Sequence, residues 1–150
     1  MTKAVTDEQV ATLRAQLAGN SDEYKRRWEQ LDKGSAKVGY TALVAAGFFE
    51  AVDRRFAKNS VIAGRSDVVG YVGDVRARSE RVANELDPHA AERLMLHALG
   101  EGSIADLDDE TVAGTQMLIR AALVTDEELD DAELDAFMAE VREVAEEWTR

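Results

Sequence analysis

The run LVTDEELDDAELDAF, residues 123–137, sets Asp126, Glu127, Glu128, Asp130, Asp131, Glu133 and Asp135 within ten positions, with Glu140 just beyond. Carboxylates at this density could gather a hard cation, since Ca2+ or Mg2+ takes several oxygen ligands converging on one point. They could also form a surface for a basic partner. The plainest reading is a charged helix start, where each first-turn acid gains roughly 0.3–1 kcal/mol from the positive end of the helix. Spacing helps to separate the three. The run lacks the D-x-D-x-D-G order and late Glu of an EF-hand, and DLDDE (106–110) fails as well, with Thr111 and Met117 standing where Gly and Glu belong. Asp130, Asp131, Glu133 and Asp135 step around a helix by about 100° per residue, so they cannot all face one centre. Only Asp126, brought round by a turn, could meet Asp130 or Glu133, and Thr125 or Asp126 is expected to cap the helix that follows. A helix end uses two or three such groups. The surplus repels itself and calls for a partner, a cation or the basic residues of the chain. Asp126, Glu127, Asp130, Asp131 and Glu133 are the candidate partner-binding residues.

No other stretch suggests chemistry. His89 and His97 share a helical stripe with Arg93 between them, which opposes a shared metal ion. None of the six serines lies in a G-x-S-x-G nucleophile turn, and GYVG (70–73) lacks the Lys of a phosphate loop. Absence of cysteine excludes disulfides, thiol catalysis and thiolate metal sites. Trp28, Trp148, Phe48 and Phe49 read as core rather than as a cofactor box. An enzyme is not expected.

Charge is unevenly placed. Residues 1–100 hold 15 Lys and Arg against 14 Asp and Glu, whereas residues 101–150 hold 3 against 16. An acidic final third repels phosphate backbones, which argues against duplex nucleic acid as a partner. The basic segments YKRRW (24–28) and DRRFAK (53–58), with Arg76, Arg78 and Arg81, are expected to balance it within a subunit or between subunits of a homo-oligomer. The longest apolar run, ALVAAGFF (42–49), is far short of the roughly 20 residues that span a bilayer. The opening MTKAVTDEQV turns polar at once, so a cytoplasmic protein without membrane contact is expected.

The elements that must position these residues are helices. Thr6 can cap a first helix bearing Val10, Leu13 and Leu17, stopped by Gly19; Ser21 can cap a second, bearing Tyr24, Trp28 and Leu31, stopped by Gly34. Residues 40–57 are apolar almost all round, as befits a central helix, and Gly47 within it suggests a close helix crossing. A fourth helix opens at Ser66 and carries Val68, Val72, Val75, Val82 and Leu86; Asp87 and Pro88 start a fifth. A sixth follows DLDDE, and the last carries Leu134, Phe137, Met138, Val141, Ala145 and Trp148. The expected fold is all-α, a compact bundle of about seven helices forming one domain over residues 1–150.

DVVGYVGDVRARSE (67–80) aligns without gaps on ELDAFMAEVREVAE (133–146), matching Tyr71 with Phe137, Val75 with Val141 and Arg76 with Arg142. Each segment follows an apolar helix ending in Asp, EAVD at 50–53 and LVTD at 123–126. The alignment reads either as two duplicated helix–acidic-turn–helix units or as the shared pattern of amphipathic helices.

Over residues 40–80 and 112–148 this arrangement resembles the tellurite-resistance TerB-like helical domain. The resemblance implies an all-helical stress-response domain with two such units and acidic metal-binding residues. Asp126 and Glu133 match the acidic positions of the second unit, Asp53 and Asp67 those of the first. The chain departs from the family where Glu127 and Arg54 replace the usual Gly after the turn Asp, and Arg54 would oppose a cation. Three functions therefore stand as expectations. The first is a non-enzymatic acidic interaction or regulatory domain for a basic macromolecular partner, needing no cofactor. The second is a Ca2+- or Mg2+-binding domain of the TerB-like kind. The third is a small apolar-ligand binder with its pocket beside the third helix.

Overall fold

Helix boundaries in the computed structural model follow the side chains able to satisfy free backbone N–H groups. The structure describes residues 4–31, 37–58, 61–62 and 64–149. Among these residues lie eight helices and one short strand pair: α1 (Asp7–Leu17), α2 (Ser21–Gln30), α3 (Lys37–Phe56), β1 (Ala57–Lys58), β2 (Val61–Ile62), α4 (Arg65–Arg76), α5 (Glu80–Glu85), α6 (Pro88–Ala98), α7 (Asp109–Glu127) and α8 (Asp131–Trp148). The fold is all-α.

Thr6 opens α1 with a reciprocal cap: its Oγ1 accepts from Gln9 N at 3.3 Å while Gln9 Oε1 accepts from Thr6 N at 3.0 Å. Gly19, at φ 77°, ends the helix as expected. Asn20 rather than Ser21 caps α2, accepting from Glu23 N at 3.2 Å. Gly34, the expected stop of that helix, lies outside the described residues. Asp87 caps α6 with Pro88 in its first turn, as the sequence implies.

The single helix expected from Ser66 to Leu86 is two. Ala77 ends α4, Ser79 swings to extended backbone, and its Oγ accepts from Val82 N at 3.1 Å to start α5. A serine that caps competes with helix continuation, and here the cap wins. The connector after α3 holds an antiparallel pair that the sequence reading did not foresee, with Ala57 opposite Ile62 and Lys58 opposite Val61.

By contacts the chain divides into two compact units, one formed by Met1–Glu50 with Glu127–Arg150 and the other by Ala51–Asp126. In the first, α1 packs on α2 and α8. Val5, Leu13, Leu43, Ala46, Phe48, Phe137 and Val141 are buried there. Ala4 runs so close to Gly39 that a Cβ at that position would lie 1.7 Å from the Ala4 carbonyl oxygen. Gly39 therefore marks a close backbone approach, and Gly47 is buried. In the second unit, α4 packs on α5 and α6, and Val68, Val72, Leu94, Met95, Ile119 and Leu123 are buried.

The aligned segments agree in what they bury. Val68, Tyr71, Val72 and Val75 form the inner face of α4, and their counterparts Leu134, Phe137, Met138 and Val141 form that of α8. Trp148 departs from its expected core place: its ring meets Phe49 edge-on at 5.5 Å, but the residue is 49% exposed.

Phe48, 1% exposed, and Val52, 0% exposed, occupy the inner side of the apolar helix α3, as the all-round apolar pattern requires. Phe48→Ala is expected to destabilise the chain by about 3–5 kcal/mol, read from urea unfolding midpoints. A loss under 1 kcal/mol would mean that this ring is not part of a packed core.

Candidate functional site

The acidic run does not fold as one cluster. Thr125 and Asp126 cap nothing; α7 continues through both to Glu127. It stops at Glu128, whose φ of 49° places a non-glycine residue in the left-handed region. No glycine or proline precedes that point in the last turns of α7, so the helix outruns the expected boundary. The cap of α8 is Asp130, accepting from Glu133 N at 2.8 Å while Glu133 returns the bond from Asp130 N at 3.1 Å. Asp67, the counterpart of Glu133, does the same at the head of α4, accepting from Gly64 N at 3.2 Å. Both acidic positions shared by the aligned segments thus close the first turn of a helix.

Asp126 belongs to the second unit and is held there. Arg78 donates to both of its oxygens, Nη1 to Oδ1 and Nη2 to Oδ2, each at 2.8 Å. The Tyr71 hydroxyl donates to Oδ2 at 2.8 Å. Arg78 also reaches Asp74, one helical turn back, at 2.9 Å. Phe56 packs edge-on against the Tyr71 ring at 5.6 Å, and the Arg55 guanidinium lies 5.2 Å from the ring centre. Donation from Arg78 holds the Asp126 carboxyl below the usual carboxylate range, against a smaller opposing effect of burial. Burial, then the Asp126 hydrogen bond, pushes the Tyr71 phenol well above its ordinary value.

The remaining acids of the run lie in the first unit. Arg14 on α1 donates from Nε to Asp135 at 2.6 Å and stands 3.6 Å from Asp131. Arg142 donates to Asp7 at 2.6 Å and to Glu146 at 2.9 Å. Glu127 is half-buried; Glu128, Asp130, Asp131, Glu133 and Asp135 are exposed. Of the residues with a suggested metal role, Asp53 and Asp67 are exposed, Asp67 closes its own helix, and Asp126 and Glu133 belong to different units. Among the described residues no three His, Asp or Glu side chains come together to hold one metal ion.

Sequence reasoning missed several partners. Arg78 was placed among the residues expected to balance the acidic third, and it does so, but its tie to Asp126 spans 48 residues and no local pattern announces it. The roles of Tyr71 and Arg14 carry no signal either. In DLDDE, Asp106 receives both arms of Arg93, which draws its carboxyl down to about 2, and Asp108 accepts from Thr111 N at 2.7 Å. These acids are occupied locally rather than free for an ion. Along α8, Glu140, Glu143 and Glu147 are exposed, recur at helical spacing, and make no ion pair among the described residues. Their spacing of three and four residues is the one signal of this stripe that the sequence carries.

Two changes test this account. A carboxyl with a lowered folded value stabilises fully above its unfolded value of about 3.9, and that stabilisation fades as pH falls toward the lowered one. Asp126→Asn is accordingly expected to cost about 1–2 kcal/mol at neutral pH and to flatten the acid limb of a stability–pH curve. An unchanged acid limb would show that Arg78 and Tyr71 do not hold the charge. At Glu128, where the left-handed backbone disfavours a side chain, Glu128→Gly should raise stability by about 0.5–1 kcal/mol in thermal melts. A lower melting temperature would contradict the strain argument.

Compared with protein-family models, with curated proteins and with solved structures, the chain matches none.

Proposed function

We propose that the chain is a non-enzymatic interaction or regulatory module of the cytoplasm whose acidic face binds a basic macromolecular partner. The observation that supports this reading is the imbalance along α8 and the turn before it. Residues 127–150 carry ten carboxylates and two arginines. Neutralisation from α1 is thin: the Asp131 side chain stays 98% exposed even with Arg14 beside it. Glu140, Glu143 and Glu147 continue the face, and with Glu133 they extend over about 21 Å of helix at 1.5 Å per residue. Such a row is long enough to meet a basic segment of several residues. Asp126 is left out of the contact, since Arg78 and Tyr71 already occupy it.

Exposed charges of one sign act mainly on encounter, and they act through the solvent. Binding of a lysine-rich peptide should be strong at low salt and should fall steeply as salt is added, because a Debye length of about 8 Å at physiological ionic strength screens exposed charges. The combined variant Glu140→Gln, Glu143→Gln, Glu147→Gln is expected to fold normally and to bind several-fold more weakly in stopped-flow association. Equal association rates for the variant and the unaltered chain would remove α8 from the contact. No helix among the described residues is long and apolar enough to cross a membrane.

A further inference from the structure

Within the second unit, a groove of about 330 Å³ lies between α5 and the first turns of α7. Its wall on α7 is mixed: Met117 and Leu118 supply the apolar side chains beside Gly114, and Glu110, Thr111 and Thr115 the polar ones. Met117 is 46% exposed. Glu85, Asp87 and Glu110 line the same groove, with Arg81 the only basic residue among them. Arg81 is already paired with Glu85 at 3.2 Å, so Asp87 and Glu110 give the rim its net charge.

Gly114 carries the argument further. A glycine inside a helix costs roughly 1 kcal/mol against alanine. Backbone conformation does not require one here, since the positive-φ glycines are Gly19, Gly100 and Gly102. Packing does not require it either: a Cβ at this position would meet nothing within 4 Å. Gly70 and Gly73 on α4 share that freedom, and Gly70 lines a groove with Asp67 and Asp74, but there the rim carries the Arg55 guanidinium and no methionine. The missing side chain leaves the groove open beside a flexible, polarisable thioether of the kind suited to adaptable binding surfaces.

We infer that this groove takes the apolar side chains of a cationic amphipathic segment from a protein partner, with the segment's lysines or arginines set against Asp87 and Glu110. The mode is that of an amphipathic helix laid into an apolar groove, with charge at the rim selecting the sign of the partner. It rests on the proposed function only for the partner's charge, and it uses none of the α8 carboxylates.

The test compares two labelled peptides of equal charge by fluorescence anisotropy: one with leucines in a helical stripe among lysines, the other lysine alone. The leucine-striped peptide is expected to bind the unaltered chain at least about tenfold more tightly. Gly114→Leu fills the groove and should abolish that preference, whereas Gly114→Ala leaves most of it open and should keep it while raising the melting temperature. The α8 glutamine variant should weaken the lysine peptide and leave binding of the leucine-striped peptide to the groove largely intact. Absence of a preference in the unaltered chain, or its survival in Gly114→Leu, overturns the groove. If the lysine peptide alone fails to bind while the leucine-striped one binds through Gly114, the α8 reading falls and the groove stands. If neither peptide binds, both fall.

Discussion

Thirty carboxylates and eighteen lysines and arginines have to be placed in a chain of 150 residues, and a carboxylate withdrawn from water must find donors. Three solutions recur. Asp130, Glu133, Asp67, Asp87 and Asp108 satisfy backbone N–H groups at helix starts. Asp126, Asp135 and Asp7 meet arginines from distant parts of their own units. Others, above all Glu140, Glu143 and Glu147 on α8, are left in solvent. Helix boundaries, the pairing of α1 with α8 and the seating of Tyr71 all follow from where those carboxylates go. A chain with fewer acids would need other caps and would lose the ties that register α1 against α8.

Much of the architecture was legible because helix punctuation is local. Thr6, Gly19, Asp87 and Pro88 each act within a turn of their own position, and all behave as their chemistry requires. The inner faces of α4 and α8 were legible because period 3.6 places Val68, Tyr71 and Val75, or Leu134, Phe137 and Val141, on one side. Ser79 was missed because serine is tolerated inside helices, and only its hydroxyl geometry reveals a cap. The acidic run was misassigned by one helical turn because no residue in it forbids helix, so the true stop at Glu128 depends on a backbone conformation that glutamate rarely adopts.

Polar residues inside the units were least legible. Gln9 and Thr12 are buried on α1, Thr115, Gln116 and Arg120 on α7, and Arg120 is 1% exposed. An apolar count assigns α7 the face of Val112, Leu118, Ile119, Ala122 and Leu123, yet Val112, Leu118 and Ala122 are only half-buried. The face that turns inward runs through Gln116, Ile119, Arg120 and Leu123. Thr12 shows how a polar group enters at small cost, its hydroxyl donating to the Glu8 carbonyl at 2.7 Å. Periodicity weighs side chains by hydropathy alone, and it cannot see that a long polar side chain has been given partners.

The division of the chain also bears on how it comes to be folded. Residues 51–126 are contiguous, so every contact within that unit can form once those residues have left the ribosome. The other unit is split, and α1 waits more than a hundred residues for α8. Contacts of such separation carry a large loop-closure cost and form late. Until α8 arrives, the faces of α1 and α3 that it will cover stand open, with Asp7 and Arg14 lacking Arg142, Asp131 and Asp135. Nascent chains paused before residue 131 should therefore present a folded middle beside an unfinished beginning, and it is the beginning that chaperones and proteases would find first.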